Sequence, residues 1–246
     1  MNIAFVGVGA MGAPMAACIA RAGHSVTVYD RSHEQAAKVA ANHGCRAASG
    51  IDELALADFV VTMLPTGQIV RDLYLREGLA QQLRRGTIAI DMSSSSPTGT
   101  RELGAALAPF GITLLDAPVS GGVPRAALGT LTIMIGGDDP AAVERARPLL
   151  LTMGDRLFDT GGLGSGHAMK ALNNFVAAAT FAACAEALLA GQRFGLDPKR
   201  MVEILNVSTG RNFHTDLVLQ EHVVGGKPIA EWVARTKPMC GMGSEG

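Results

Sequence analysis

The sequence predicts an α/β protein: a doubly wound, mostly parallel sheet over residues 1–162, followed by an all-helical region over residues 163–246. Three observations carry this. Short apolar, β-branched runs alternate with helical patterns through the first two thirds of the chain, as in strands buried on both faces between crossover helices. A glycine-rich turn directly follows the first of these runs and opens a helical pattern. From Gly164 to Phe194 a run built mainly of Ala, Leu, Val and Phe has the length of a long helix rather than a strand.

Taken in order, strands are expected at Ile3–Val6, Val26–Tyr29, Phe59–Met63, Thr87–Ile90, Ile112–Leu115 and Leu131–Ile135. Each is an unbroken apolar or β-branched run of four or five residues, as strands in a covered sheet require. Helical patterns lie between them near Met11–Ala22, Glu34–Ala41, Ile69–Leu75, Pro97–Pro109 and Ala141–Met153.

Composition narrows the function classes. The 246 residues are 48% hydrophobic and 17% charged, with 30 glycines and a net charge of −1, which describes a well-packed globular chain with many tight turns. There is no basic excess and no basic stripe with interleaved aromatics, so no nucleic-acid partner is expected. Cys18, Cys45, Cys184 and Cys240 show no C-x-x-C spacing and fit a reducing compartment. The six histidines are scattered without a helical ligand pair, and no metal is expected. The strand pattern starts at Asn2 without a basic leader. The apolar stretch 171–190 is alanine-rich and carries Asn173, Asn174 and Glu186, so it reads as a buried helix rather than a membrane span. These readings predict a cytoplasmic protein with no membrane partner. The long helix has apolar surface on more than one side, which predicts a homo-oligomer.

The glycine turn is the first chemical signal. Gly7, Gly9 and Gly12 have the G-x-G-x-x-G spacing of a dinucleotide-binding, Rossmann-type unit. The first glycine permits the tight turn, the second lets backbone approach a pyrophosphate, and the third lets helix pack on strand. The phosphates would rest on amides at the helix N-terminus, where the dipole favours an anion. The second strand ends in Asp30, 18 residues past Gly12, placed to accept from the adenosine ribose. NAD is therefore favoured as cofactor, while Arg31 beside it could pair with a 2′-phosphate and leaves NADP possible.

The second signal is Lys170 with Asn174. Four residues on a helix is one turn, so the amine and the amide share a side. Apolar surroundings disfavour the charged form of a lysine, which suits it to act as a base.

Longer motifs surround these residues. The run from Gly7 to Met15, with Met11 and Pro14, the run Asp116–Gly122, the run Gly166–Asn174, and the loops at Met63–Pro65 and Asp91–Ser94 resemble the β-hydroxyacid dehydrogenase family, which includes 3-hydroxyisobutyrate dehydrogenase and tartronate semialdehyde reductase. The resemblance covers about residues 1–227. It implies a 6-phosphogluconate dehydrogenase-like helical domain for substrate binding and dimerisation over 163–246. It further implies that Gly7, Gly9, Ala10, Met11, Gly12, Asp30, Arg31, Leu64, Pro65 and Ser94 bind cofactor. Ser120, Gly121, Gly122 and Asn174 would bind substrate, and Lys170 would be catalytic. The implied reaction passes hydride between NAD(P) and a short 3-hydroxy acid, 3-hydroxyisobutyrate-like, giving the semialdehyde. 6-Phosphogluconate dehydrogenase shares the lysine and asparagine but adds a glutamate seven residues after the lysine. That position here is Ala177, which favours plain oxidation over oxidative decarboxylation.

After about residue 227 the pattern departs from the family, with Lys237-Pro238 where a Lys-Asp pair is expected. The helical domain thus reads as incomplete, with lower stability and activity expected. The alternative reading is a truncated, catalytically silent nucleotide-binding protein.

Overall fold

The computed structural model describes residues 1–227. The departure beyond residue 227, including Lys237, Pro238 and Cys240, lies outside the described residues. The chain runs β1 (Asn2–Val6), α1 (Gly12–Arg21), β2 (Ser25–Tyr29), α2 (His33–His43), β3 (Arg46–Ala47), a 3₁₀ turn (Ile51–Leu54) and β4 (Phe59–Thr62). It continues through α3 (Gly67–Arg71), a π-helical turn (Asp72–Arg76), α4 (Leu79–Gln82), β5 (Ile88–Asp91), α5 (Pro97–Leu107) and β6 (Thr113–Asp116). Then come β7 (Val119–Ser120), α6 (Gly122–Leu128), β8 (Leu131–Gly136), α7 (Pro140–Leu150) and β9 (Gly154–Gly161). Last are α8 (Ser165–Arg193), α9 (Pro198–Asn206) and a π-helical segment (His214–Val224).

The strands form one sheet in the order β3-β2-β1-β4-β5-β6-β8-β7, with β9 on β8. From β3 to β6 every pairing is parallel. The run Leu131–Ile135 forms a strand as expected, but it runs antiparallel to β6 through the Asp116–Gly136 pair. Strands β3 and β7 are two residues each, too short for any periodicity. Strand β9 is largely exposed and reads Gly-Asp-Arg-Leu-Phe-Asp-Thr-Gly, without an apolar run to announce it.

Strand alternation divides the core. On one face Ile3 and Phe5 pack with Met15 and Ile19 of α1. On the other Ala4 and Val6 join Leu73, Tyr74 and Leu103. Helix starts follow their caps: Ser32, Thr66, Ser96 and Asp139 each accept a first-turn backbone amide, with Pro97 and Pro140 just inside α5 and α7.

The π-helical turn holds one orphan. Tyr74 is fully buried and its hydroxyl has no hydrogen-bond partner among the described residues. Burial, and then the Asp91 carboxylate, push its pKa far above the ordinary tyrosine value. Leaving a buried donor unmade costs its full desolvation, whereas an apolar isostere does not. Tyr74→Phe is therefore expected to raise stability by about 1 kcal/mol, read from the urea midpoint at constant slope. A loss of stability would show that the hydroxyl has a partner after all.

Contacts divide the chain into two compact units, residues 1–170 and 171–246, so the boundary falls inside α8. In the second unit Cys184 and Leu188 of α8 pack with Val202 of α9 and Leu219. His214 is buried there, its Nε2–H donating to the Ala177 carbonyl at 2.8 Å and its ring edge-on to Phe181 and Phe213. The expectation of a buried helix over 171–190 does not hold. Phe175, Val176 and Leu172 of α8 are 72%, 59% and 60% exposed, because only one side of the helix meets α9 and the His214–Val224 segment. By length and composition α8 could cross a membrane, with a mean hydropathy of 1.5 over a window that is only 11% buried.

Candidate active site

The carboxyl edge of the sheet gathers the turns that follow β1, β4, β5 and β6, the edge where open α/β sheets bind ligands. After β1, Gly7 has φ +92°, and an added Cβ would stand 2.4 Å from the Met63 carbonyl oxygen. Gly12 is tighter still: its Cβ would stand 1.8 Å from the Gly7 carbonyl oxygen. Gly9 meets nothing within 4 Å and is exposed with Ala10. Met11 caps α1 with no side-chain hydrogen bond, so no side chain occupies the amides at the helix start, of which Ala13 N–H donates to the Gly9 carbonyl. Two glycines closed by packing and one left open is the arrangement a dinucleotide pyrophosphate needs, and these residues fit that group.

Asp30 stands at the end of β2 and already holds backbone. Its Oδ2 accepts from Val8 N–H and its Oδ1 from Ser32 N–H, both at 2.9 Å. The carboxylate thus ties the glycine turn to β2, and each oxygen keeps a second lone pair for a ribose hydroxyl. Arg31 is 65% exposed at its side chain and turns to Glu77, with Nη2 donating to Oε1 at 2.7 Å. That partner, 46 residues away, was not legible in the sequence.

After β4, Leu64 N–H donates to the Ser93 hydroxyl at 2.9 Å, and Pro65 is exposed. Ser94 is exposed, whereas its neighbour Ser93 is buried. Ser93 is therefore the serine that joins the two cofactor-side loops. After β6, Ser120 ends β7, and Gly121 and Gly122 open α6 with φ +135° and +69°. The run is thus a two-residue strand that passes directly into a short helix.

The centre of the edge is a buried polar cluster that sequence reasoning missed. Asp91 and Asp116 end β5 and β6, and are 3% and 0% exposed. Asp91 Oδ1 accepts from the Thr62 hydroxyl at 2.9 Å and from Ser93 N–H at 3.1 Å; its Oδ2 accepts from the Ser95 hydroxyl at 2.7 Å. Asp116 accepts from Gly164 N–H and His167 N–H, each at 2.7 Å. His167 is 1% exposed; its Nε2–H donates to the Ser93 carbonyl at 3.0 Å and its Nδ1 meets the Thr100 hydroxyl at 2.8 Å. The ring lies 3.7 Å from Asp91 Oδ2 and 3.6 Å from Asp116 Oδ2. The one available signal was two aspartates each closing an apolar run, a place where a carboxylate is costly unless fully bonded.

Lys170 is half-buried on α8, one turn after His167 and about 4.5 Å further along the axis. Asn174 follows on the same helix, one turn on and exposed, in the second unit.

Comparison with known proteins agrees with this geometry. Residues 2–162 match the NAD-binding domain of 6-phosphogluconate dehydrogenase, and residues 164–228 the NAD-binding region of NADP-dependent 3-hydroxyisobutyrate dehydrogenase. An NAD-dependent L-serine dehydrogenase of Pseudomonas aeruginosa is 41% identical over 213 residues, 86% of this chain and 71% of that one. A 3-hydroxyisobutyrate dehydrogenase of the same organism is 40% identical, over 88% of this chain and 72% of its own. The solved Mycobacterium tuberculosis 3-hydroxyisobutyrate dehydrogenase with L-serine superposes with a TM-score of 0.81 at 40% identity, over 86% of this chain and 72% of that one. With its fingerprint turn, its Asp116–Gly122 run and its Lys170 helix in the matched regions, the chain belongs to the β-hydroxyacid dehydrogenase family of NAD- or NADP-dependent oxidoreductases.

Proposed function

We propose that this enzyme oxidises the primary alcohol of a short 3-hydroxy acid to the aldehyde, with Lys170 as proton acceptor. The substrate class follows from what the similar enzymes share. L-Serine and 3-hydroxyisobutyrate are both HO–CH2–CH(X)–COO⁻ and differ only at X. The bound nicotinamide supplies the hydride acceptor. Lys170 Nζ takes the hydroxyl proton as the carbon–oxygen double bond forms, and returns it in the reverse direction. Ser120 and the amides of Gly121 and Gly122 receive the carboxylate, and Asn174 orients substrate oxygen. Gly7, Gly9, Ala10, Met11 and Gly12 seat the pyrophosphate, Asp30 and Arg31 the adenosine, and Leu64, Pro65 and Ser94 the nicotinamide side. In this reading residues 1–162 form the cofactor domain and residues 163–246 the substrate and dimerisation domain.

The observation that carries the reading is the tie between Lys170's helix and the sheet. The first turn of α8 is bonded to Asp116, Thr100 and Ser93, on the same edge as the fingerprint turn. The test is nicotinamide reduction across L-serine, 3-hydroxyisobutyrate, glycerate and a matched alcohol lacking the carboxylate. Turnover of the acids and not of the bare alcohol is expected. NAD binding without turnover of any of them would leave a nucleotide-binding protein.

The exposed apolar side of α8 supports a homo-oligomer rather than a bilayer span, since Asn173, Asn174 and Glu186 interrupt it. The free thiols of Cys18, Cys45 and Cys184 support a cytoplasmic location.

Cofactor choice gives a separate prediction. Asp30 favours NAD, and Glu77 occupies the guanidinium that would meet a 2′-phosphate. Exposed ion pairs are worth little, so Glu77→Gln is expected to tighten NADP by only about three- to fivefold with NAD unchanged. Calorimetry with both cofactors reads this. No change in NADP affinity would mean that Arg31 does not face the 2′-position.

A further inference from the structure

We propose that Asp116 is a positioning residue for Lys170: its carboxylate latches the first turn of α8 to the sheet and so sets where the lysine amine stands. The inference rests on the role given to Lys170 above, and every residue of the latch lies in the first unit. Asp116 is completely buried, and the hydrogen bonds of its two oxygens go to backbone amides. Both oxygens are spent on one object, the start of α8: Oδ1 on Gly164 N–H and Oδ2 on His167 N–H, at 2.7 Å each. Those amides have no intrahelical acceptor, and the dipole of a 29-residue helix favours an anion there. Charge-assisted bonds of this kind are short and strong.

The packing around the carboxylate leaves no slack. A Cβ on Gly136 would stand 2.4 Å from Asp116 Oδ1, and one on Gly166 would stand 2.9 Å from Oδ2 and 2.4 Å from the Met134 carbonyl oxygen. Two glycines, one in the sheet and one in the helix, therefore allow backbone to close on both sides of the latch. Gly164 adds a third constraint, since it takes φ +88° and a Cβ there would lie 2.7 Å from the Pro97 carbonyl oxygen. His167 then fixes the rotation of the helix through Ser93 and Thr100. A helix anchored at 164 and 167 fixes where the backbone of 170 stands, one turn on, and so the point from which the lysine side chain starts. Hydride transfer depends on close alignment, so a small displacement of the base would lower turnover steeply.

The test uses Asp116→Asn in the full chain. The amide keeps the size but can no longer accept from both backbone N–H groups. Turnover is expected to fall at least tenfold, with NAD affinity within twofold of the parent. In a Lys170→Ala background the same change should cost less than twofold, because the residue through which it acts is gone. Equal losses in both backgrounds, or undiminished turnover, would overturn the proposal. A second readout needs no turnover. The chain has five lysines, and 13C-methylation of their amines gives a resolvable set, with Lys170 assigned by its loss in Lys170→Ala. In Asp116→Asn the Lys170 signal should move while the other four stay; an unmoved signal overturns the latch whether or not the parent is active. A parent that turns over no hydroxy acid while its Lys170 signal still responds would sink the catalytic role alone. If Asp116→Asn does not melt cooperatively, His167→Gln takes its place. It should move the same signal and show the same dependence on Lys170, and failure on both counts ends the proposal.

Discussion

Lys170→Ala is expected to lower kcat by about a hundred- to ten-thousand-fold while NAD affinity stays within twofold. That loss corresponds to about 2.7–5.4 kcal/mol of transition-state stabilisation. The reason for the split is spatial. The amine is assigned to the substrate hydroxyl, whereas the pyrophosphate seat is built from Gly7, Gly9 and Gly12 at the start of α1. Lys170→Arg should be nearly as inactive, since a guanidinium keeps the charge but does not release its proton in this range. Steady-state rates with L-serine and 3-hydroxyisobutyrate, alongside calorimetry with NAD, decide it. Retained turnover in Lys170→Ala would move the base elsewhere.

The glycine turn gives the second large effect, and the structure separates two glycines that the motif treats alike. Gly12→Val drives a side chain into the Gly7 carbonyl, 1.8 Å from where its Cβ would stand, and into Phe5 at 3.1 Å. It should cost about 3 kcal/mol of stability and abolish measurable NAD binding. A Cβ at Gly9 would meet no atom within 4 Å among the described residues, and the residue has no positive φ, so Gly9→Val should melt at the parent's temperature. Its side chain would nevertheless fill the space where the pyrophosphate approaches, weakening NAD on the order of a hundredfold. Calorimetry and thermal melting on the two variants check both halves. Parent-like NAD affinity in Gly9→Val would show that the pyrophosphate does not sit on this turn.

Much of the fold is legible in the sequence. The six apolar runs all became strands, because a covered sheet demands unbroken apolar segments that stand out from their flanks. The fingerprint was legible for a related reason: close backbone approach excludes side chains, and only glycine records that in the sequence. The ending beyond 227 and the division into units offer no such comparison, the first lying outside the described residues.

The sequence alone determined the elements that local chemistry compels: the six apolar strands, the glycine turn, and a lysine and asparagine one turn apart on a long helix. The tertiary structure decided what depends on residues far apart in the chain. It reversed β8 against β6, exposed most of α8, paired Arg31 with Glu77, and joined the two loops through Leu64 N–H and the Ser93 hydroxyl. Above all it brought Asp91, Asp116 and His167 together across as many as 76 residues (167 − 91). No local pattern announces a buried carboxylate, because what makes it tolerable is a pair of backbone amides 48 and 51 residues later in the chain.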